Sequence, residues 1–263
     1  MSVWVDHFSI GVRSLDEAEA FFSRYLPLVP LGGSSADADE EARARVYQLG
    51  HVKLALVESG RDGSFLARFL EKRGEGIHHL ALRTDDLASV AASLAGAGLS
   101  AAEVSSSPTA RRAIGVLPQE AFGMFLLIGE TDAAPPPRRE PAERIVAMPG
   151  VDAHMVFDHL AAAVPGIDSV KKFLAQHFSI DRDGGTHRGY SGDFDISQFD
   201  LAGYRFELIS DASGSSFIVP FLAKRGPGFH HISIDVDRID PILDRMRADG
   251  LRIVDEVDLA PYR

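Results

Sequence analysis

Cysteine is absent from this sequence. Disulfides, thiolate metal sites, iron–sulfur clusters and a cysteine nucleophile are therefore excluded, and any bound metal must be held by imidazole, carboxylate or amide oxygen. Long apolar runs are missing too: no stretch approaches the ~20 apolar residues a membrane helix needs. The opening residues, MSVWVDHFSIGV, have no basic region and no long apolar core, so no signal peptide is predicted and a cytoplasmic location is expected. Positive charge is scarce, with 27 basic against 38 acidic residues and a formal charge of −11. Such a surface repels polyanions, which argues against nucleic acid and anionic membranes as partners. A small anionic ligand stays open, because a metal or a local Arg/Lys group overrides net charge. No glycine-rich phosphate loop stands between a strand and a helix; GRDGS (60–64) and DGG (183–185) read as turns.

What is there is a duplication. The 263 residues, 45% hydrophobic and 25% charged, suit an ordinary globular protein of one large or two average domains. Segment VDHFSIGVRSLDEAEAFF (5–22) resembles FDHLAAAVPGIDSVKKFL (157–174), and SFLARFLEKRGEGIHHLALRTDDL (64–87) resembles SFIVPFLAKRGPGFHHISIDVDRI (216–239). His159 follows His7, and His231 follows His79, by the same 152 positions; Gly98/Gly250 and Leu99/Leu251 keep that register. Chance does not hold one ungapped register from His7 to Leu99.

A weaker repeat lies inside each half. Residues 6–18 and 78–90 each show a His, a short alternating apolar run that reads as strand, and an acidic residue opening an amphipathic stretch. Ser14 reads as an N-cap with Glu17 completing a capping box, and Ala18, Phe21, Phe22 and Leu26 repeat at helical spacing as a buried face. The runs 44–49 and 52–57, split by Gly50–His51, read as a hairpin. Segments 65–73 and 217–225, each closed by a glycine, read as short bridging helices. The unit of strand, helix and further strands is thus expected four times. TDAAPPPRREPAERIV (131–146), with three consecutive prolines, reads as an extended linker whose Arg138 and Arg139 are solvated. The expected division is 1–130, a linker at 131–150, and 151–263. Asp85 and Asp237 read as helix caps, the acidic run 37–41 as a solvated loop, and Trp4 and the phenylalanines as core or wall.

DH followed by an alternating strand, and FLxKRGxGxHHxxxxxDxx in both halves, resemble the vicinal oxygen chelate superfamily. That group includes glyoxalase I, methylmalonyl-CoA epimerase and extradiol dioxygenases, and the second motif looks most like the epimerase-like branch. The resemblance covers nearly the whole chain except the linker. It implies an α+β fold of tandem βαβββ units forming two curved mixed sheets, or cups, with metal ligands on the first, fourth, fifth and eighth strands. Carried over, these positions are His159, Glu207 and His231 in the second half. Strand alternation agrees for Glu207, since Phe206 and Leu208 point to the opposite face. The same positions in the first half are His7, Ala55 and His79, and Leu127 on the eighth strand, so only His7 and His79 remain there as a vestigial pair. The second cup is expected to lack its last strand. Its fourth ligand position is then left to water, to substrate, or to a carboxylate such as Asp193 or Asp195. Of each HH pair, alternation turns one ring inward; His79 and His231 are expected there, with His78 and His230 on the surface or behind the ligands.

The implied cofactor is one divalent ion (Zn, Co, Ni, Mn or Fe), and the implied partner is a small carbonyl, carboxylate or thioester compound. The leading expectation is a metal-dependent isomerase, epimerase or lyase working next to a carbonyl through a metal-stabilised enolate. No catalytic base is assigned. A non-haem Fe(II) dioxygenase and a metal-free binding protein are the alternatives. A duplicated chain contains its own pseudo-dimer, so either a monomer or a homodimer is expected.

Overall fold

Alternating apolar residues build strands and the 3.6-period segments build helices, in the order the repeats require. The computed structural model describes residues 2–32, 35–36, 42–104, 112–136, 140–180, 183–201 and 204–254. The first half runs β1 (Val3–Val12), α1 (Leu15–Tyr25), β2 (Leu28–Pro30), β3 (Ser35–Ala36), β4 (Ala42–Leu49), β5 (Val52–Ser59), α2 (Phe65–Arg73), β6 (Gly76–Thr84), α3 (Leu87–Gly96), β7 (Ala101–Val104), β8 (Ala113–Val116) and β9 (Phe125–Glu130). A 3-10 turn at Pro141–Arg144 and the short β10 (Val146–Ala147) follow. The second half runs β11 (His154–Ala163), α4 (Ile167–Phe178), β12 (Asp183–Arg188), β13 (Phe194–Leu201), β14 (Tyr204–Asp211), α5 (Ile218–Arg225), β15 (Gly228–Val236) and α6 (Asp240–Ala248). The fold is α+β, as expected, with two mixed sheets. The DGG segment is the start of β12, not a turn; the acidic run 37–41 and Arg138–Arg139 lie outside the described residues.

The first sheet has the order β2-β4-β5-β1-β6-β9-β8-β7, with β3 also on β4; the second has β10-β11-β14-β13-β12, with β15 on the other side of β11. In the first half β1 pairs parallel with β5 and antiparallel with β6, and in the second half β11 likewise pairs parallel with β14 and antiparallel with β15. β6 then gains β9 as a parallel neighbour, and among the described residues β15 has no such neighbour. Two-residue connection Gly50–His51 joins β4 to β5, with Gly50 at φ 59°, a conformation glycine adopts without strain. Ser14 caps α1 by accepting from the Glu17 N–H. Phe21, expected on the buried face of α1, is exposed, whereas Leu15 and Tyr25 are buried. Asp86, not Asp85, caps α3. Asp85 and Asp237 instead accept from the N–H of Ser2 and of His154, residues 152 apart, so the duplicated aspartates tie down the start of β1 and β11.

One core runs through both halves. Phe8 stacks on Phe157 with ring centroids 5.4 Å apart, and Ser93 on α3 bonds the His177 ring on α4. Tyr204 is fully enclosed and crosses the boundary: its hydroxyl accepts from the Lys53 N–H at 2.5 Å and donates to the Asp6 carbonyl at 3.0 Å. Burial pushes this phenol far above its ordinary range, so it stays protonated and keeps its donor. At the rim, Arg24 and Tyr25 of the first half grip the Asp249 carboxylate of the second, each at 2.5 Å.

Two stability measurements follow. Tyr204→Phe leaves the Lys53 N–H and the Asp6 carbonyl without partners, so urea denaturation is expected to show a loss of about 2 kcal/mol, the usual penalty of an unpaired buried polar group. The hydrogen bonds from Arg24 and Tyr25 hold the Asp249 carboxyl at about 2. Because its folded value is depressed, its contribution is present above the unfolded value of about 4 and is lost as pH falls through the folded one. Asp249→Asn should therefore melt below the wild type at pH 7, with the gap closing as the pH is lowered toward about 2.

Candidate metal centre

The pairing of β11 with β15 slips at two points. Phe157 faces Ile234 and His159 faces Ser233, so Asp158 is an extra residue on β11; Ala161 faces His231 and Ala162 faces Phe229, so His230 is an extra residue on β15. Such bulges break the two-residue alternation and re-aim side chains. The first half repeats both, with Asp6 extra on β1 and His78 extra on β6.

The consequence is that neighbours in sequence meet side chain to side chain. The Asp158 carboxylate accepts from His159 Nδ1 at 2.7 Å, and Arg205 Nη1 donates to its other oxygen at 2.5 Å. Burial alone would raise the Asp158 carboxyl; the His159 bond and the Arg205 charge outweigh it and hold the group below its usual value. With Nδ1 carrying the proton, His159 presents a lone pair at Nε2. His230 and His231 approach Nδ1 to Nδ1 at 2.8 Å. Burial, helped by the neighbouring His159 and His230, drops the His231 pKa to about 4, so this ring is neutral at pH 7.

Glu207 enters from β14, one strand away, with Leu208 and Phe206 on the opposite face in the main core. His159, Glu207 and His231 bring one ligand atom each within 4.8 Å of the others. His159 Nε2 stands 3.1 Å from His231 Nε2 and 3.5 Å from Glu207 Oε1. Two donors about 2.1 Å from one ion are separated by about 3.0 Å at a right angle and about 3.4 Å at the tetrahedral angle. The spacing and the two-imidazole, one-carboxylate chemistry therefore fit a divalent cation. Gln198 on β13 donates to Glu207 Oε2 at 2.7 Å, which fixes the carboxylate plane and leaves Oε1 toward the histidines. Glu207 is only 6% exposed, and a buried carboxylate between apolar neighbours is costly without a cation or donors. Neither alternative aspartate joins the cluster: Asp195 pairs with Arg188 at 3.2 Å on the face away from Gln198, and Asp193 is bonded by Ser191.

A row of rings leads outward from the cluster. His230 packs edge-on against Phe221 and Phe217, Phe217 against Phe194, and Phe194 against Tyr190, with Phe217 and Tyr190 both exposed. The approach to the histidines is thus apolar and aromatic.

The first half keeps the scaffold but not the donors. His7 Nδ1 bonds Asp6 at 3.0 Å as His159 bonds Asp158, yet the His79 Nε2 that would face a metal is bonded to Ser9 Oγ at 2.9 Å. Ala161 holds the matching place in the second half, and Ala55 stands where Glu207 does. His7 and His79, the weaker pair in the sequence, have no carboxylate with them in a metal-competent group among the described residues. His78 is not at the surface: it is buried beneath Phe65, Phe69 and Phe125. Sequence alone does not single out Asp158 or Gln198, and it leaves His230 on the surface or behind the ligands; His230 lies behind His231. The repeated DH and HH pairs were the available signal; alternation hid it by assigning neighbours to opposite faces.

Comparison with known proteins gives the family of the chain. The family model described as glyoxalase/bleomycin resistance protein/dioxygenase superfamily matches residues 6–115 and 158–260. An uncharacterized Bacillus subtilis protein, YqjC, is 35% identical over 77 residues, 29% of this chain; the chain spans about half of that relative, 54% of its length. A mutant of 4-hydroxymandelate synthase from Streptomyces coelicolor superposes with a TM-score of 0.67 at 21% identity, covering 95% of this chain and 76% of that one. Methylmalonyl-CoA epimerase from Mycobacterium tuberculosis covers 49% of this chain and 89% of its own at a TM-score of 0.45 and 24% identity. With the family model matching both halves, the chain belongs to the glyoxalase/bleomycin resistance protein/dioxygenase superfamily.

Proposed function

We propose that the second half is a metal-dependent enzyme site, held by His159, Glu207 and His231, for an isomerase, epimerase or lyase reaction at a carbon next to a carbonyl. The observation that carries this reading is the donor spacing around His159 Nε2, 3.1 Å to His231 and 3.5 Å to Glu207 Oε1. A divalent ion bound there supplies Lewis acidity toward a substrate oxygen and so lowers the pKa of the adjacent C–H. The chain's own residues do the rest. Asp158 fixes the His159 tautomer, and for His231 to offer a lone pair at Nε2 its Nδ1–H must donate to His230. Gln198 holds the Glu207 plane, and Glu207, the carboxylate of the cluster, is the group placed to receive and return a proton. The aromatic row from Tyr190 to His230 takes the apolar body of the substrate and keeps water from the reacting carbon. The substrate class is a small carbonyl, carboxylate or thioester compound, and a carboxylate ligand on the fourth strand favours this chemistry over an oxygenase plan with its carboxylate on the eighth.

Two measurements test the proposal. Protein stripped with chelator and reloaded with Zn, Co, Ni, Mn or Fe should retain about one ion per chain by elemental analysis. His159→Ala should lose it while His7→Ala keeps it; a wild type that retains no ion leaves a binding protein as the reading. With the reloaded protein in D₂O, methylmalonyl-CoA as probe should exchange its C2 hydrogen, and Glu207→Gln should slow that exchange by about 10²-fold or more, the usual scale of general acid–base catalysis. Oxygen uptake without exchange, over a panel of 2-oxo acids, would move the assignment to a dioxygenase.

A further inference from the structure

The duplicated KRG motif brings a second chemistry to the boundary between the halves. Arg73 and Arg225 close α2 and α5 at positions 152 apart. The chains meet there backbone to backbone: a side chain on Gly123 would overlap the Pro227 carbonyl, and Arg73 Nη1 reaches to within 3.4 Å of where a Gly228 side chain would begin. Arg73 thus lies against the turn that follows Arg225. Burial and the like charge of Arg225 both pull the Arg73 guanidinium below its ordinary pKa. Among the described residues no acid pairs with either arginine. Two cations close enough to repel, with no ion-pair partner among the described residues, leave a local positive field in a protein that is otherwise strongly acidic.

Beside Arg73 is a small cavity of about 50 Å³ walled by Phe65, Phe69, Phe125 and Phe229. His78 completes the wall. Its ring is 7% exposed, and its Nε2 is buried with no hydrogen-bond partner. Buried polar atoms are almost always satisfied, so an orphan in a cavity wall beside a cation marks the place of an absent partner. The volume exceeds the 10–15 Å³ or so that one water needs and is far short of a nucleotide or a sugar.

We propose that this cavity binds a small monocarboxylate, its oxygens held by Arg73 and His78 Nε2 and its short apolar tail seated among the phenylalanines. The site is separate from the metal cluster and does not depend on it. A carboxylate suits the walls better than a phosphate, because one guanidinium and one imidazole line the cavity and the rest of the surface is apolar. His78 engages the ligand as an N–H donor through its buried, unpartnered Nε2. That requires a shift of tautomer. Without ligand, the orphaned His78 Nε2 is best left unprotonated, so His78 Nδ1–H donates to His79 Nδ1 at 2.9 Å and His79 Nε2–H donates to Ser9. With ligand the chain reverses: Ser9 donates to His79 Nε2, His79 Nδ1–H donates to His78 Nδ1, and His78 Nε2–H faces the carboxylate.

The test is a titration of the full chain, labelled with ¹⁵N-histidine, with propionate at constant ionic strength, using propionamide as the neutral analogue. Saturable binding of propionate and not of propionamide is expected, with the His78 Nε2 and His79 Nε2 signals exchanging protonated and unprotonated positions. Arg73→Gln should weaken binding at least tenfold, and so should His78→Phe, whose ring suits the aromatic surroundings; Glu207→Gln should leave it unchanged. No saturable binding, equal binding of propionamide, or binding that survives Arg73→Gln and is lost in Glu207→Gln would overturn the proposal, the last by placing the carboxylate in the other cup.

Discussion

Imperfect pairing of β1 with β6 and of β11 with β15 is the constraint on which the site depends. In a regular pleat Asp158 and His159 would face opposite sides, as would His230 and His231. One extra residue on each strand turns both pairs to one side, and each imidazole of the cluster is backed at Nδ1 by its own neighbour. The bulge also frees backbone. In the first half the Asp6 carbonyl, out of step with β6, is taken by the Tyr204 hydroxyl reaching across from the second half. The same irregularity therefore orients a histidine and ties the two halves together.

Since both halves carry both bulges, the scaffold alone does not decide where a metal can sit. Two small changes do. Ser9 in place of Ala161 gives the His79 Nε2 a hydrogen-bond partner, so ligating a metal would first cost that bond. Ala55 in place of Glu207 removes the anion that would offset a cation's charge. Conversely, Glu207 without a cation leaves a carboxylate at 6% exposure with one donor from Gln198 and a neutral His231 nearby, an arrangement whose desolvation cost is recovered most directly by binding an ion.

The repeat made most of this legible. One register of 152 positions predicted paired strands and paired bridging helices, while His159, Glu207 and His231, which lie as one cluster, were picked out by the resemblance to the vicinal oxygen chelate superfamily. Helix caps were legible where chemistry was local, as at Ser14, and missed where two aspartates compete, as at Asp85 and Asp86: the first is drawn off by the Ser2 N–H. The sequence leaves His78 and His230 between the surface and a place behind the ligands, and they lie behind; the choice was not legible because alternation assumes a regular ladder, and a bulge depends on the partner strand, which no local window contains. Gln198 and Tyr204 were invisible for the same reason; each matters through a residue on another strand or in the other half.

Among the described residues, burial separates β6 from β15 as clearly as donor identity separates their histidines. β6 is flanked by β1 on one side and β9 on the other, and seven of its nine residues, His78 through Thr84, are buried. β15 is flanked by β11 alone among the described residues, and along it only Gly228 is buried. His79 accordingly sits sealed, its pKa driven well below normal by burial, while His231 is half-buried and next to a row of rings that reaches solvent at Tyr190. A ligand in the second cup needs both an electrostatic reason to bind and a way in. The first cup, closed by β9 and by Ser9, offers neither at His79; what space it keeps lies on the far side of His78, against Phe229 of the other half. His78 is thus turned into the boundary where the halves meet, whereas His79 is held by Ser9, and His159 and His231 stand together beside Glu207.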